Sequence, residues 1–342
     1  MNTRFEYGTL RIVMSRRLEL EIGQDAEPLP QLYAIGLPGQ GGTILGAAQL
    51  EAKKSTEVAE IFQMANQVAR TEFPDLSISQ LVFHGPQEKL DETLVNHLAN
   101  TAIYLAKYKT LQREHPNSPD PSLVVPSSMG ECAALAISGV LSDEEAMKVA
   151  LERGKATEKG GREFPGKMAS ILNLPGGLKT LEELCREVRH EIGGIVSVSN
   201  INSENELVIS GQEALVEAVI KKTMEKRVRK AFMLPISFGS HCALMENAAA
   251  EFAEAIKDIE FADPKMPWVM NGEVVTTGAE IKERMVKGLT TTVNLKASLE
   301  MLKELGIPVL YEMVPKPLDD KTKASFGRFA GSVNPELQVL FR

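Results

Sequence analysis

Ser128 stands in the stretch PSLVVPSSMGE (residues 121–131), after a β-branched apolar run and two residues before Gly130. A serine placed between a strand and a helix in an S-x-G setting has the local pattern of a nucleophile elbow. There a strained turn thrusts the hydroxyl outward and leaves the next backbone N–H, here that of Met129, free to meet an oxyanion. The usual elbow carries glycine two residues before the serine, and this chain has Pro126 there. A serine hydroxyl is a weak nucleophile until a base can take its proton. The chain has five histidines, and His241, preceded by Gly239 and Ser240 in PISFGSHCALM, is the candidate base because it lies where one predicted lobe hands over to another. Each feature alone is also ordinary: S-x-G turns are common after strands, and an isolated histidine is more often structural. Arg153 closes the segment SDEEAMKVALERG, where Ser142 and Glu145 predict a capping box, Gly154 a stop, and the arginine a plain partner of the helix dipole.

The elements that must position these residues alternate between strand and helix, which predicts an α/β fold with a mostly parallel sheet. LYAIGL reads as a buried strand, followed by the glycine-rich PGQGGTILG and a helix with apolar positions Val58, Ile61, Phe62 and Ala65. Neither G-x-x-x-x-G-K nor G-x-G-x-x-G occurs in that turn, which argues against a nucleotide cradle. A second helix spans ETLVNHLANTAIYLAKYKTLQ, and the polar loop HPNSPDPS leads to the strand before Ser128. From residue 167 the order is strand, helix, two strands, helix and strand: KMASILNL, LKTLEELCREVRHEIG, IVSVSNI, ELVISG, QEALVEAVIKKTMEK and RKAFMLPIS. That order is the ferredoxin-like split unit, inserted in a larger α/β domain. Two lobes follow, and ligand sites commonly lie between lobes.

Bulk properties exclude several classes. The chain has 342 residues, 43% hydrophobic and 25% charged, long enough for one large domain or two modest ones. A net charge of -8 argues against a nucleic-acid partner. Three cysteines with no C-x-x-C or paired-histidine spacing suggest neither a disulfide framework nor a metal site, and point to a reducing, cytoplasmic setting. The N-terminal stretch alternates charged and apolar residues without the apolar core of a signal peptide or the length of a membrane span.

Five motifs, in order, resemble those of the malonyl-CoA:acyl carrier protein transacylases, the acyltransferases of fatty acid and polyketide synthesis. LPGQGG resembles the family's F-P-G-Q-G-S-Q, PSSMGE its G-H-S-L-G-E, ERGK its R-G-K, NSENELVISG its N-S-P-x-x-x-V-I-S-G, and SHCALM its S-H-x-x-L-M. The likeness runs from about residue 33 to 317. It implies an α/β-hydrolase-like large subdomain (31–165 and 237–320), a ferredoxin-like small subdomain (166–236), an N-terminal extension (1–30) and a C-terminal tail (321–342). It further implies Ser128 as nucleophile, His241 as its base, the backbone N–H groups of Gln40 and Met129 as the oxyanion hole, and Arg153 as the grip on the malonyl carboxylate. The implied partners are malonyl-CoA, as a coenzyme A thioester substrate, and an acyl carrier protein, with no metal and no bound cofactor. A monomer with no membrane or nucleic-acid partner is expected.

The chain departs from the family at several positions. Pro126 and Ser127 replace its glycine and histidine, Gly288 stands where a glutamine is usual, His97 and Thr43 replace two further glutamines, and VPKPLDD replaces G-P-G-x-x-L. These changes leave two other readings open, a carrier-binding scaffold with weakened catalysis and an acyl hydrolase that clears carrier proteins. Retention of Arg153 argues against the hydrolase, because neutral acyl chains have no use for a buried cation. The basic stretch KKTMEKRVRK (221–230) is either a solvated helix end or a face that steers an acidic carrier.

Overall fold

The computed structural model describes residues 28–39, 45–236, 238–314 and 325–342. Most of the N-terminal extension, Gln40, Thr43 and residues 315–320 of VPKPLDD lie outside the described residues. Strand β1 (Ala34–Leu37) is buried along its whole length. It leads to helix α1 (Thr56–Arg70), started by the Ser55 side chain accepting from Val58 N, with Val58, Ile61, Phe62, Ala65, Val68 and Ala69 on its inner face. The 3–4 residue spacing of those positions is what allows one stripe to face a core. Helix α2 (Thr93–Glu114) runs through the middle of the large lobe and is buried almost all round.

Strand β2 (Leu123–Pro126) pairs in parallel with β1, Leu37 opposite Pro126. Helix α3 (Gly130–Ile137) starts four residues after the strand ends, and α4 (Asp143–Glu163) follows with the expected Ser142–Glu145 capping box. The expected stop at Gly154 is overturned, because α4 continues for nine more residues. Gly154 is instead the point where α4 crosses α2: a Cβ there would lie 3.0 Å from Leu94 Cα and 3.3 Å from His97 Cβ. Arg153 is therefore mid-helix and buried rather than at a helix end meeting the dipole.

The small lobe contains β3 (Lys167–Leu172), α5 (Gly177–Ile192), β4 (Val196–Ser203), β5 (Glu206–Gly211), α6 (Glu213–Glu225) and β6 (Lys230–Met233). Its antiparallel sheet has the order β4-β5-β3-β6, the ferredoxin-like arrangement, with a core of its own built on Ile171, Leu184, Val188, Ile209 and Val216. Pro165 bridges Phe238 where the chain enters and leaves this lobe. Then come α7 (Glu246–Ile256), β7 (Trp268–Met270), β8 (Glu273–Val275), α8 (Gly278–Lys287), α9 (Leu295–Glu304) and β9 (Val309–Glu312).

Residues 321–342, expected as a tail, prove integral in their described part. They form α10 (Ser325–Val333) and β10 (Gln338–Phe341), which pairs in parallel with β9. The large sheet has the order β10-β9-β1-β2-β7-β8, parallel except for β8. One face is covered by the core that includes α1 to α4, the other by α9 and α10 through Leu299, Leu302, Phe326 and Phe329. Each such apolar side chain contributes on the order of 1.5–3 kcal/mol on burial, so residues 325–342 complete the second face. A parallel sheet needs both faces covered.

Candidate active site

The carboxyl ends of parallel strands are where open α/β sheets place ligands, and β1 and β2 end side by side here. Ser127 N–H donates to Leu37 O at 2.9 Å as the chain leaves β2. Ser128 then adopts φ +50°, a left-handed conformation that an L-residue other than glycine enters at a cost of about 1–2 kcal/mol. Gly130 makes the turn possible: a Cβ there would fall 2.1 Å from Leu37 O, inside its van der Waals surface. Pro126, at the glycine position of the usual elbow, is the last residue of β2, and the turn forms with proline in that place.

Ser128 Oγ lies 2.9 Å from His241 Nε2. His241 also has positive φ, +58°, so both partners are held in conformations that surrounding structure must enforce. Its Nδ1 is 2.7 Å from Gly288 O. A carbonyl only accepts, so Nδ1 carries the proton and Nε2 presents a lone pair to the serine. Burial pushes the His241 pKa down to about 4, opposed by the Gly288 carbonyl and reinforced by the Arg153 charge. Glycine at 288 thus supplies orientation through its backbone, with no side chain required. Residues 288–294, between α8 and α9, are tied to the small lobe: Ile201 N–H donates to Val293 O and Val293 N–H to Ser199 O, each at 2.9 Å. The two lobes are joined beside the serine–histidine pair.

Met129 follows the serine, buried, and its N–H has no backbone acceptor among the described residues to compete for it. Gln40, the other expected donor, lies outside the described residues; Gly39 packs against the turn, its Cβ position 3.4 Å from Ser127 O and Ser128 Cβ.

Arg153 is 1% exposed, and its Nη2 is 3.5 Å from Glu131 Oε2, an ion pair too long for a hydrogen bond. Arg153 Nε and Nη1 and Glu131 Oε2 have no hydrogen-bond partner among the described residues. Burial raises the Glu131 pKa to about 7, against the lowering effect of Arg153. Glu131 ends the stretch PSSMGE, yet sequence reasoning assigns it no role; its one signal is its position, three residues past the serine on the first turn of α3. His97, on α2, donates from Nδ1 to Thr93 O at 2.7 Å, and burial, with Arg153 nearby, pushes its pKa down to about 3.

A cavity of about 530 Å³ opens at Ser128. Its wall includes Pro126, Ser127, Glu131 and Gly288 together with residues of α8, the 288–294 segment and α9. Three of the departures from the family motifs therefore meet in one wall. Among the described residues, no group of His, Cys, Asp and Glu side chains has the arrangement to hold a metal ion, and no helix is long and apolar enough to cross a membrane.

A strained serine turn on a parallel sheet, met by a histidine arriving from a ferredoxin-like insert, defines an acyltransferase of α/β-hydrolase-like build. The family described as acyl transferase domain matches residues 38–302. The chain is 30% identical to the malonyl CoA-acyl carrier protein transacylase of Haemophilus influenzae, over 86% of this chain and 92% of that one, and 30% identical to the Escherichia coli protein of the same name over 85% and 92%. Its structure is similar to that of the Coxiella burnetii malonyl CoA-acyl carrier protein transacylase, with a TM-score of 0.81 and 28% identity over 92% of this chain and 95% of that one. A malonyl-transacylase solved in complex with its type II polyketide synthase acyl carrier protein is also similar, with a TM-score of 0.82 and 28% identity over 91% and 96%. The chain belongs to the acyl transferase family. It is an acyltransferase enzyme related to the malonyl CoA-acyl carrier protein transacylases.

Proposed function

We propose that the protein moves a malonyl or related dicarboxylic acyl group from coenzyme A to the phosphopantetheine thiol of an acyl carrier protein, through an acyl ester on Ser128. The observation that carries this reading is the 2.9 Å contact between Ser128 Oγ and a His241 Nε2 whose lone pair faces it. In the first half-reaction Ser128 Oγ attacks the thioester carbonyl and passes its proton to His241 Nε2. The tetrahedral oxyanion is met by the Met129 N–H and, by resemblance, that of Gln40. Collapse breaks the C–S bond, the departing sulfur takes the proton from His241, and the acyl group stays on the serine. In the second half the carrier thiol gives its proton to His241, its sulfur attacks the ester, and Ser128 Oγ recovers the proton as it leaves. Arg153 would hold the free carboxylate, since a guanidinium fork matches a carboxylate bidentately.

The names of the relatives, and the carrier bound to one structural neighbour, support the substrate and the partner. We take the enzyme to act as a monomer in the cytoplasm without a bound cofactor, and its three unpaired, buried cysteines fit a reducing compartment. The test is intact-protein mass after incubation with malonyl-CoA. Wild type gains one malonyl group and Ser128→Ala gains none; wild type left unmodified by a panel of dicarboxylic acyl-CoAs sinks the reading.

A further inference from the structure

The carboxylate end of the site already contains a carboxyl group. Glu131 is fastened close to the nucleophile, its N–H donating to Ser128 O at 3.0 Å. Its side chain lines the cavity that opens at Ser128, whereas Arg153 is absent from that wall. On one side Glu131 Oε1 lies 3.9 Å from the Cβ position of Gly288; on the other, Oε2 faces Arg153 at 3.5 Å. Glu131 thus stands between the cavity and the guanidinium. The pair is poorly made. A buried ion pair offsets its desolvation only with good geometry and filled hydrogen bonds, and here two guanidinium nitrogens and one carboxylate oxygen are unpartnered among the described residues. An external carboxylate meeting those N–H groups squarely would be held better than Glu131 is.

We propose that Glu131 is the resident counter-ion of Arg153 and yields that role, by taking up a proton, to the free carboxylate of an incoming acyl group, which makes it a determinant of acyl selectivity. The inference rests on the proposed function, because it needs an acyl group bearing a carboxylate. Two ionised carboxylates do not share one buried cation when one of them can be neutralised. Glu131 is the one poised to be, since burial already holds its pKa near 7.

The other groups facing this position leave it the charge that changes. From α2, His97 is held neutral down to about 3, and His241, between the lobes, down to about 4. Cys132, beside Glu131 on α3, is pushed up to about 11. Arg153 faces it from α4. From α8, Glu280, Glu283, Arg284 and Lys287 share the cavity wall with Glu273, and Arg284 is paired with both Glu273 and Glu280. Below about pH 7 the site therefore receives a substrate carboxylate with Glu131 already neutral. Above it, binding must take a proton from solvent and weakens as pH rises, by up to about tenfold per pH unit.

Calorimetry on the Ser128→Ala protein, which cannot form the acyl ester, tests this in buffers of differing ionisation enthalpy. Malonyl-CoA binding should take up close to one proton at pH 8 and almost none at pH 6, while acetyl-CoA, with the same coenzyme A moiety, takes up none beyond that moiety's own contribution at either pH. Adding Glu131→Gln should abolish the difference between the two ligands and make malonyl-CoA affinity at pH 8 match that at pH 6. Malonyl-CoA binding without proton uptake at pH 8 overturns the inference and leaves the proposed function standing. So does uptake that persists in the double variant. Failure of the Ser128→Ala protein to bind either thioester removes the proposed function and this inference together.

Discussion

Two ends of one site are built to different standards. At the nucleophile end the serine and its base are both held: Ser128 Oγ to His241 Nε2 at 2.9 Å, and His241 Nδ1 to Gly288 O at 2.7 Å. At the carboxylate end Arg153 and Glu131 face each other at 3.5 Å with donors and an acceptor unpartnered among the described residues. His241, Glu131 and Arg153 are all buried, and Ser128 is half-buried. The difference follows the work proposed for each. A nucleophile and its base must be aligned before substrate arrives, whereas a specificity group is completed by the substrate itself. Preorganisation favours catalysis where charge develops; an incomplete buried pair favours exchange with a ligand.

Removing the aligned base should have the largest effect. His241→Ala should slow Ser128 acylation by about two to four orders of magnitude, with any acyl-CoA. Because the catalytic form is the neutral one, and burial holds the pKa near 4 instead of the ordinary 6.5, wild-type acylation from acetyl-CoA should stay level as pH falls from 7 to about 5 and drop only as it approaches 4. Acetyl-CoA is the right probe here because it lacks the carboxylate that Glu131 would answer. A rate that halves near pH 6.5 would show that the histidine is more solvated than its hydrogen bonds imply.

Arg153→Ala, measured in the Glu131→Gln background so that no lone carboxylate is buried, should lower the preference for malonyl-CoA over acetyl-CoA by one to two orders of magnitude. That range corresponds to a charged hydrogen bond worth about 1.5–3 kcal/mol. Equal losses for both thioesters would make the guanidinium a packing element and erase the contrast between the two ends.

The smallest effect is expected on the small lobe's basic stretch. Lys226, Arg227 and Arg229 are exposed, whereas Lys222 is engaged by Glu187 at 3.4 Å and Glu191 at 2.8 Å, and Lys230 Nζ lies 4.7 Å from the centre of the Phe232 ring. Lys226, Arg227 and Arg229, which form no ion pair among the described residues, are the better candidates to steer an acidic carrier. Strand β6 runs from this stretch toward the neck. Charge reversal at Lys226 and Arg229 should slow transfer to the carrier several-fold at low salt, spare self-acylation, and lose its effect as salt rises. Wild-type carrier transfer at low salt in that variant would move docking elsewhere.

Much of this was legible in the residues. The β-α-β-β-α-β order of 167–236 needed only hydrophobic period and turn signals, because those are local properties of the chain. Ser128 was legible from its strand, its glycine and its small-residue helix; the steric demand that excludes a Cβ at Gly130 is written in one residue. The pairing of Ser128 with His241, 113 positions apart, was legible only through ordered motifs, since no local pattern reaches across an inserted lobe. Gly154 misled as a helix stop because a glycine required for helix crossing and a glycine that ends a helix look alike until the neighbouring helix is in place. Residues 325–342 misled for a similar reason, their apolar positions being interpretable only once the second face of the sheet needs covering.

The sequence by itself determined the two lobes, the insertion order and the residue types available for acyl transfer, because periodicity, turn chemistry and side-chain chemistry belong to the chain. Tertiary structure alone decided that the Gly288 carbonyl holds His241, that Arg153 is sealed inside α4, and that Glu131 faces it. The distances and burial that make a base neutral or a carboxyl group exchangeable are properties of space shared by distant segments, and no single segment carries them.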